Sequence, residues 1–149
     1  MEKKILLVNG PNLNLLGVRE PDKYGNLKLP DIAQNCETIA RDAGYTLIHY
    51  QSNQEGNLVD FIQQQGMDAV GMVLNAGAYT HTSIAIRDAI LSVKLPFVEV
   101  HLSNVFSRED FRHHSYLADI AVGVISGFRE NSYYLGMRAL IHFLENTLR

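Results

Sequence analysis

Short apolar runs alternate with amphipathic stretches along the whole chain, and few folds accept that pattern. The runs at 4–9, 45–51, 69–74, 96–102 and 119–124 are rich in Val, Ile or Leu, as expected of strands buried on both faces. Between them, helical periodicity predicts helices over 30–43, 57–65, 82–93 and 131–148, with a shorter turn at 107–113. Pro30 suits a first helical position, and Gly44 and Gly66 stand where left-handed caps end helices. Strict β–α alternation calls for a parallel sheet covered on both sides. Five strands make the flavodoxin-like order 2-1-3-4-5, a three-layer α/β fold, the leading topology. The 149 residues, 46% of them hydrophobic, suit a single domain over 1–149.

The charge excludes several partner classes. A net charge of −3 and a pI near 6.0, with no basic block, offer nothing to nucleic acid or to a membrane surface. The first apolar run stops at Asn9, too short for a signal peptide, and no run reaches the ~18 residues of a membrane span. The one cysteine, Cys36, falls in a helical pattern as a half-buried thiol with no internal partner, which fits a reducing cytoplasm. The expected partner is a small molecule.

In such sheets ligands sit beyond the carboxyl ends of the strands, where the strand order reverses. Three polar segments follow strands one, three and four: Asn9-Gly-Pro-Asn-Leu-Asn-Leu-Leu-Gly-Val-Arg-Glu-Pro-Asp-Lys-Tyr24-Gly25, Asn75-Ala-Gly-Ala-Tyr-Thr-His-Thr-Ser83 and Glu99-Val-His-Leu-Ser-Asn104. These strands are neighbours in the predicted order, so the segments should converge on one crevice.

Several chemistries are missing. There is no His-Glu-x-x-His, and the adjacent His113 and His114 point in different directions, so no metal site is expected. Neither phosphate-cradling glycine motif occurs, so no nucleotide cofactor is expected. Asn75 holds the place where a response regulator needs a phospho-accepting carboxylate.

Other residues point to acid–base work. His101 lies two residues after Glu99, so both face the same side of a strand; the carboxylate can fix the imidazole's tautomer and raise its basicity. His101 is then either a general acid or a structural histidine. Ser103 and Asn104 form a turn whose amides can bind a carboxylate. Residues 79–83 precede a helix start, which favours an anion and, compatibly with that, can be capped by Thr80 or Thr82. Arg108 and Arg112, four apart, can meet an oxyanion or pair with Glu109 or Asp110.

Arg19 and Tyr24 are the less ordinary pair. A phenol acting as general base needs its pKa brought from ~10 toward 7, about 4 kcal/mol of preference for phenolate. One guanidinium ~4 Å away supplies about that much at an effective dielectric of ~20, provided water is kept out. The loop must therefore close, with Gly17 and Gly25 as hinges.

Taken together, these segments and Arg108-Glu-Asp-Phe-Arg-His-His-Ser115 make the chain resemble the type II 3-dehydroquinate dehydratase family over essentially its whole length. The resemblance implies anti elimination of water from 3-dehydroquinate to 3-dehydroshikimate through an enolate, in the shikimate pathway, without cofactor, metal or covalent intermediate. It implies that Tyr24 is the base, Arg19 lowers its pKa, His101 protonates the departing hydroxyl and Asn12 positions a water that stabilises the enolate. Asn75, His81 and Arg112 would hold the substrate's hydroxyls and carboxylate, with the amides of Leu102 and Ser103 gripping the carboxylate. Arg108 and Glu99 would be supporting groups. Asp88 would reach a neighbouring subunit's site in a homododecamer, a tetramer of trimers.

Two features depart from the family pattern. Ala76 stands where proline is usual in Asn-Pro-Gly-Ala, which would loosen that turn, and residues 127–132 carry more charge than expected. The rival is a non-enzymatic flavodoxin-like module that binds a small anion. It has no use for Arg19, Tyr24 and His101 together, and incubation with 3-dehydroquinate separates the two readings.

Overall fold

The computed structural model describes residues 2–18 and 27–147. Five strands, β1 (Lys4–Asn9), β2 (Thr46–Gln51), β3 (Ala69–Asn75), β4 (Phe97–His101) and β5 (Gly123–Ser126), form one sheet in the order β2-β1-β3-β4-β5. Every pairing is parallel. The topology is the one the β–α alternation predicts.

Alternate strand residues feed two separate cores. Ile5, Leu7, Val73, Val98 and Val100 face helices α1 (Leu29–Asp42) and α4 (Asn131–Thr147), meeting Ile32, Cys36, Met137 and Leu140. Leu6, Val8, Met72, Leu74 and Phe97 face α2 (Glu55–Gly66) and α3 (Ile84–Val93), meeting Leu58, Ile62, Ile86 and Ile90. The result is three layers, with apolar strand residues on both faces because both are covered.

Local chemistry sets the helix ends. Pro30 lies in the first turn of α1, where its missing N–H costs nothing, and Gly44 at φ +91° ends that helix. Gly66 does a different job from the one expected. It is the last residue of α2 and is buried, and a Cβ there would sit 2.9 Å from Val93 Cγ2, so it lets α2 and α3 approach. Cys36 is wholly rather than half buried, and burial pushes its thiol pKa up to about 12.

The last strand also differs from expectation. Residues 118–120 form a 3-10 turn, and β5 begins only at Gly123. The Ser115 hydroxyl accepts from the Leu117 and Ala118 amides, and Arg87 grips Asp119, so this stretch turns before the register Val98↔Gly123 begins. Likewise 107–113 is not one turn but the end of Val105–Ser107 followed by Asp110–Arg112. No helix among the described residues is long and apolar enough to cross a membrane.

Candidate active site

The carboxyl ends of β1, β3 and β4 lie side by side, and the loops after them close around one crevice. Gly10 leaves β1 against β3: its N–H donates to Asn75 O at 2.8 Å, and a Cβ would lie 2.2 Å from Ala76 O. Only glycine permits that approach. Asn12 follows in the left-handed region, φ 69°, where asparagine is among the few non-glycine residues tolerated. Its N–H donates to Asn53 Oδ1 at 3.0 Å.

After β3, Asn75 accepts from the Gly77 amide at 3.1 Å, and Gly77–His81 winds into a 3-10 turn. Ala76 has φ −76°, within the range a proline ring would impose, so the Asn75–Gly77 turn keeps that geometry without the ring. The cap of α3 is neither Thr80 nor Thr82. Ser83 accepts from the Ile86 amide at 2.9 Å, while the Thr80 hydroxyl is buried with no hydrogen-bond partner among the described residues.

The crevice brings together Asn12, Asn75, His81, His101, Leu102, Ser103, Arg108 and Arg112. Glu99 lies behind it. Asp88 does not line it but stands exposed on α3. Arg19, Lys23, Tyr24 and Gly25 lie outside the described residues; Gly17, the other expected hinge, has φ +84°.

His101 is the most constrained group. Glu99 Oε2 lies 2.6 Å from its Nε2, and both side chains are buried. A carboxylate can only accept, so Nε2 carries the hydrogen and Nδ1 is the nitrogen left for other contacts. Glu99 is held in turn by Ser115, whose hydroxyl donates to Oε1 at 2.9 Å. The Ser115 oxygen already accepts two amides, at 3.0 Å each, so its proton has one destination. This Ser115–Glu99–His101 relay has a single polarity.

His81 stacks near His101, with ring centroids 6.3 Å apart, and its Nδ1 donates to His114 O at 2.8 Å. Burial holds the His81 pKa below the ordinary imidazole range, His101 and Arg112 act the same way, and the His114 carbonyl opposes them. A neutral His81 therefore presents Nε2 as an acceptor. Arg112 donates to Glu109 from Nε at 2.8 Å, while Arg108 Nε lies 3.8 Å from the same oxygen. The arginines share the Glu109 carboxylate, which is the pairing alternative left open by the sequence, and both line the crevice. The segment is not one helix, so what brings them together is the shared Glu109 carboxylate and not a helical face.

His113 and His114 diverge as expected: one ring meets Arg108 O at 3.0 Å, the other the edge of Tyr116. Among the described residues, no three His, Cys, Asp or Glu side chains are grouped to share a metal ion. In the charged 127–132 segment, Gly127 takes φ +101° and Arg129 φ 53°, and their amides donate to His101 O and Leu102 O. The segment thus braces the backbone at the crevice floor.

Sequence reasoning missed Ser115 as a group acting on Glu99, although it ends a quoted motif. It also missed Asn53, which follows β2 and binds the Asn12 amide. The period-two spacing that found Glu99 and His101 carries no information on a partner 16 residues away.

Known proteins point the same way. The family described as dehydroquinase class II matches residues 3–141. A 3-dehydroquinate dehydratase of Prochlorococcus marinus strain MIT 9515 is 54% identical over 142 residues, covering 95% of this chain and 97% of that protein. The crystal structure of type II dehydroquinase from Butyrivibrio crossotus has a TM-score of 0.89 at 41% identity, covering 93% of this chain and 97% of that one. That of the Propionibacterium acnes enzyme has a TM-score of 0.88 at 37% identity, covering 95% and 98%. With nearly the full chain matched in sequence and in fold, the chain belongs to the class II dehydroquinase family.

Proposed function

We propose that this chain is a 3-dehydroquinate dehydratase working by the type II route, in which water is lost from 3-dehydroquinate to give 3-dehydroshikimate in the shikimate pathway. Tyr24, as a phenolate favoured by the charge of Arg19, takes a proton from the carbon next to the ketone. The electron pair passes into an enolate, with Asn12 positioning the water that stabilises it. As the enolate collapses, the β-hydroxyl leaves with a proton from His101 as water, and neither metal nor cofactor is called on.

The observation that carries this reading is the Ser115–Glu99–His101 relay, which ends in a crevice that also holds two arginines. With Nε2 committed to Glu99, the protonated ring can give up only its Nδ1 proton toward substrate. Asn75, His81 and Arg112 bind substrate hydroxyls and carboxylate, the Leu102 and Ser103 amides grip the carboxylate, and Arg108 and Glu99 support them.

Incubation with 3-dehydroquinate should produce enone absorbance. Tyr24→Phe should keep substrate binding but cut turnover at least ~10²-fold, within the usual worth of general-base catalysis. Near-normal turnover in that variant places the base elsewhere. The proposed assembly is a cytoplasmic homododecamer, a tetramer of trimers, in which Asp88 on the exposed side of α3 reaches a neighbour's crevice. Native mass by light scattering should then be a multiple of three chains. A fully active monomer removes Asp88 from the site.

A further inference from the structure

A chain of hydrogen bonds runs beneath the crevice from Gly77 to β2. Asn75 Oδ1 accepts from the Gly77 amide at 3.1 Å, and Asn75 Nδ2 donates to the Tyr133 hydroxyl at 2.9 Å. Tyr133 donates to Asn9 Oδ1 at 2.5 Å, and Asn9 Nδ2 meets His49 Nε2 at 3.1 Å. Asn9 and Tyr133 are fully buried and Asn75 nearly so.

One end of this chain cannot reverse. The Gly77 backbone N–H is a donor and nothing else, so the oxygen of Asn75 must face it. The Asn75 nitrogen must then face Tyr133, and the phenol, with one proton, must spend it on Asn9. Asn9 is left with its nitrogen toward His49, whose Nε2 must accept. Reversing any member leaves two donors or two acceptors facing each other in a buried place, a conformation the surroundings strongly oppose. Burial also raises the phenol's pKa, so Tyr133 keeps its proton.

We infer that Tyr133, anchored by Asn9, is a positioning residue that fixes the rotamer and the amide orientation of Asn75 at the floor of the crevice. What Asn75 can then offer a ligand is one Nδ2–H and one remaining lone pair of Oδ1, in a set direction. Neither Tyr133 nor Asn9 lines the crevice, so each acts through Asn75 alone. The inference rests on the proposed role of Asn75 in binding 3-dehydroquinate.

The test is a double-mutant cycle on KM and kcat for 3-dehydroquinate, with Tyr133→Phe, Asn75→Ala and their combination, each checked for native circular dichroism. Tyr133→Phe should raise KM roughly 3- to 10-fold, the range of one ordinary hydrogen bond, with kcat within about twofold. In the Asn75→Ala background the same change should add nothing to KM. A merely structural tyrosine would lower the melting temperature and act on KM equally in both backgrounds. If Tyr133→Phe does not fold, Asn9→Ala replaces it in the cycle, since it removes the anchor and leaves the phenol in place. An unchanged KM in Tyr133→Phe, or additive effects, overturns the inference while turnover by the unsubstituted protein leaves the proposed function standing. No turnover of 3-dehydroquinate by the unsubstituted protein overturns both.

Discussion

Replacing Glu99 by glutamine changes one oxygen to an NH2 group, and its surroundings decide which way that group must turn. Ser115 Oγ accepts from the Leu117 and Ala118 amides and sends its own proton to residue 99. It has no lone pair left for an NH2, so the glutamine oxygen stays on Ser115 and the nitrogen faces His101 Nε2. That nitrogen, 2.6 Å from a carboxylate in the native protein, must become an acceptor, and the ring proton moves to Nδ1. The neutral ring is then well hydrogen-bonded, so the fold should be little affected. The protonated ring, which the proposed acid role of His101 requires, faces a donor with a donor. It loses a hydrogen bond to a charged group worth about 1.5–3 kcal/mol. At about 1.4 kcal/mol per factor of ten, the prediction is a fall in kcat of roughly 10- to 10²-fold with little change in KM. The assay is enone formation from 3-dehydroquinate, beside a urea melt. A kcat within twofold of native would falsify the relay as a catalytic device, and a large loss of stability would show that Glu99 serves the fold first.

Three further outcomes are expected. His81 has its pKa lowered on folding, so the unfolded chain takes up that proton first as pH falls; its contribution is complete above about pH 6.5 and is lost below it as pH moves toward the folded value. Urea midpoints between pH 7 and 5 should therefore slope less in His81→Gln than in the native protein, and identical slopes refute the assignment. Gly10→Ala should destabilise by more than the ~1–3 kcal/mol of ordinary overpacking, because its Cβ meets the Ala76 backbone at 2.2 Å and no side chain can yield; a loss under ~0.5 kcal/mol by denaturant titration would mean that β1 and β3 part easily there. Activity should survive both chelator and borohydride with substrate present, since the only lysine in the three crevice segments is Lys23; inactivation by borohydride would indicate a Schiff base, and inactivation by chelator a metal.

Much of the architecture was legible in order because it depends on short-range pattern. The run Ile5-Leu-Leu-Val8 is apolar at every position, and only a strand covered on both faces uses all of it: Ile5 and Leu7 enter one core, Leu6 and Val8 the other. With Pro30 in a first turn and Gly44 past a last one, strand–helix alternation left the doubly covered parallel sheet as the natural solution. That sheet places the segments after β1, β3 and β4 together. Period-two spacing likewise put Glu99 and His101 on one side of β4.

What the pattern could not supply were the partners reached across the fold. Apolar residues between 119 and 124 read as a strand, but the pairing of β4 with 123–126 and the grip of Arg87 on Asp119, 32 positions away, moved its start. Gly66 looked like a cap because its need for smallness comes from Val93 on another helix. No local pattern pairs Ser115 with Glu99 or Tyr133 with Asn75, since each pair is brought within hydrogen-bond range only by the folded sheet. Local periodicity determined which elements form and which faces they bury. Which buried donor meets which acceptor was decided only by tertiary structure, because removing water from those groups makes each pairing obligatory.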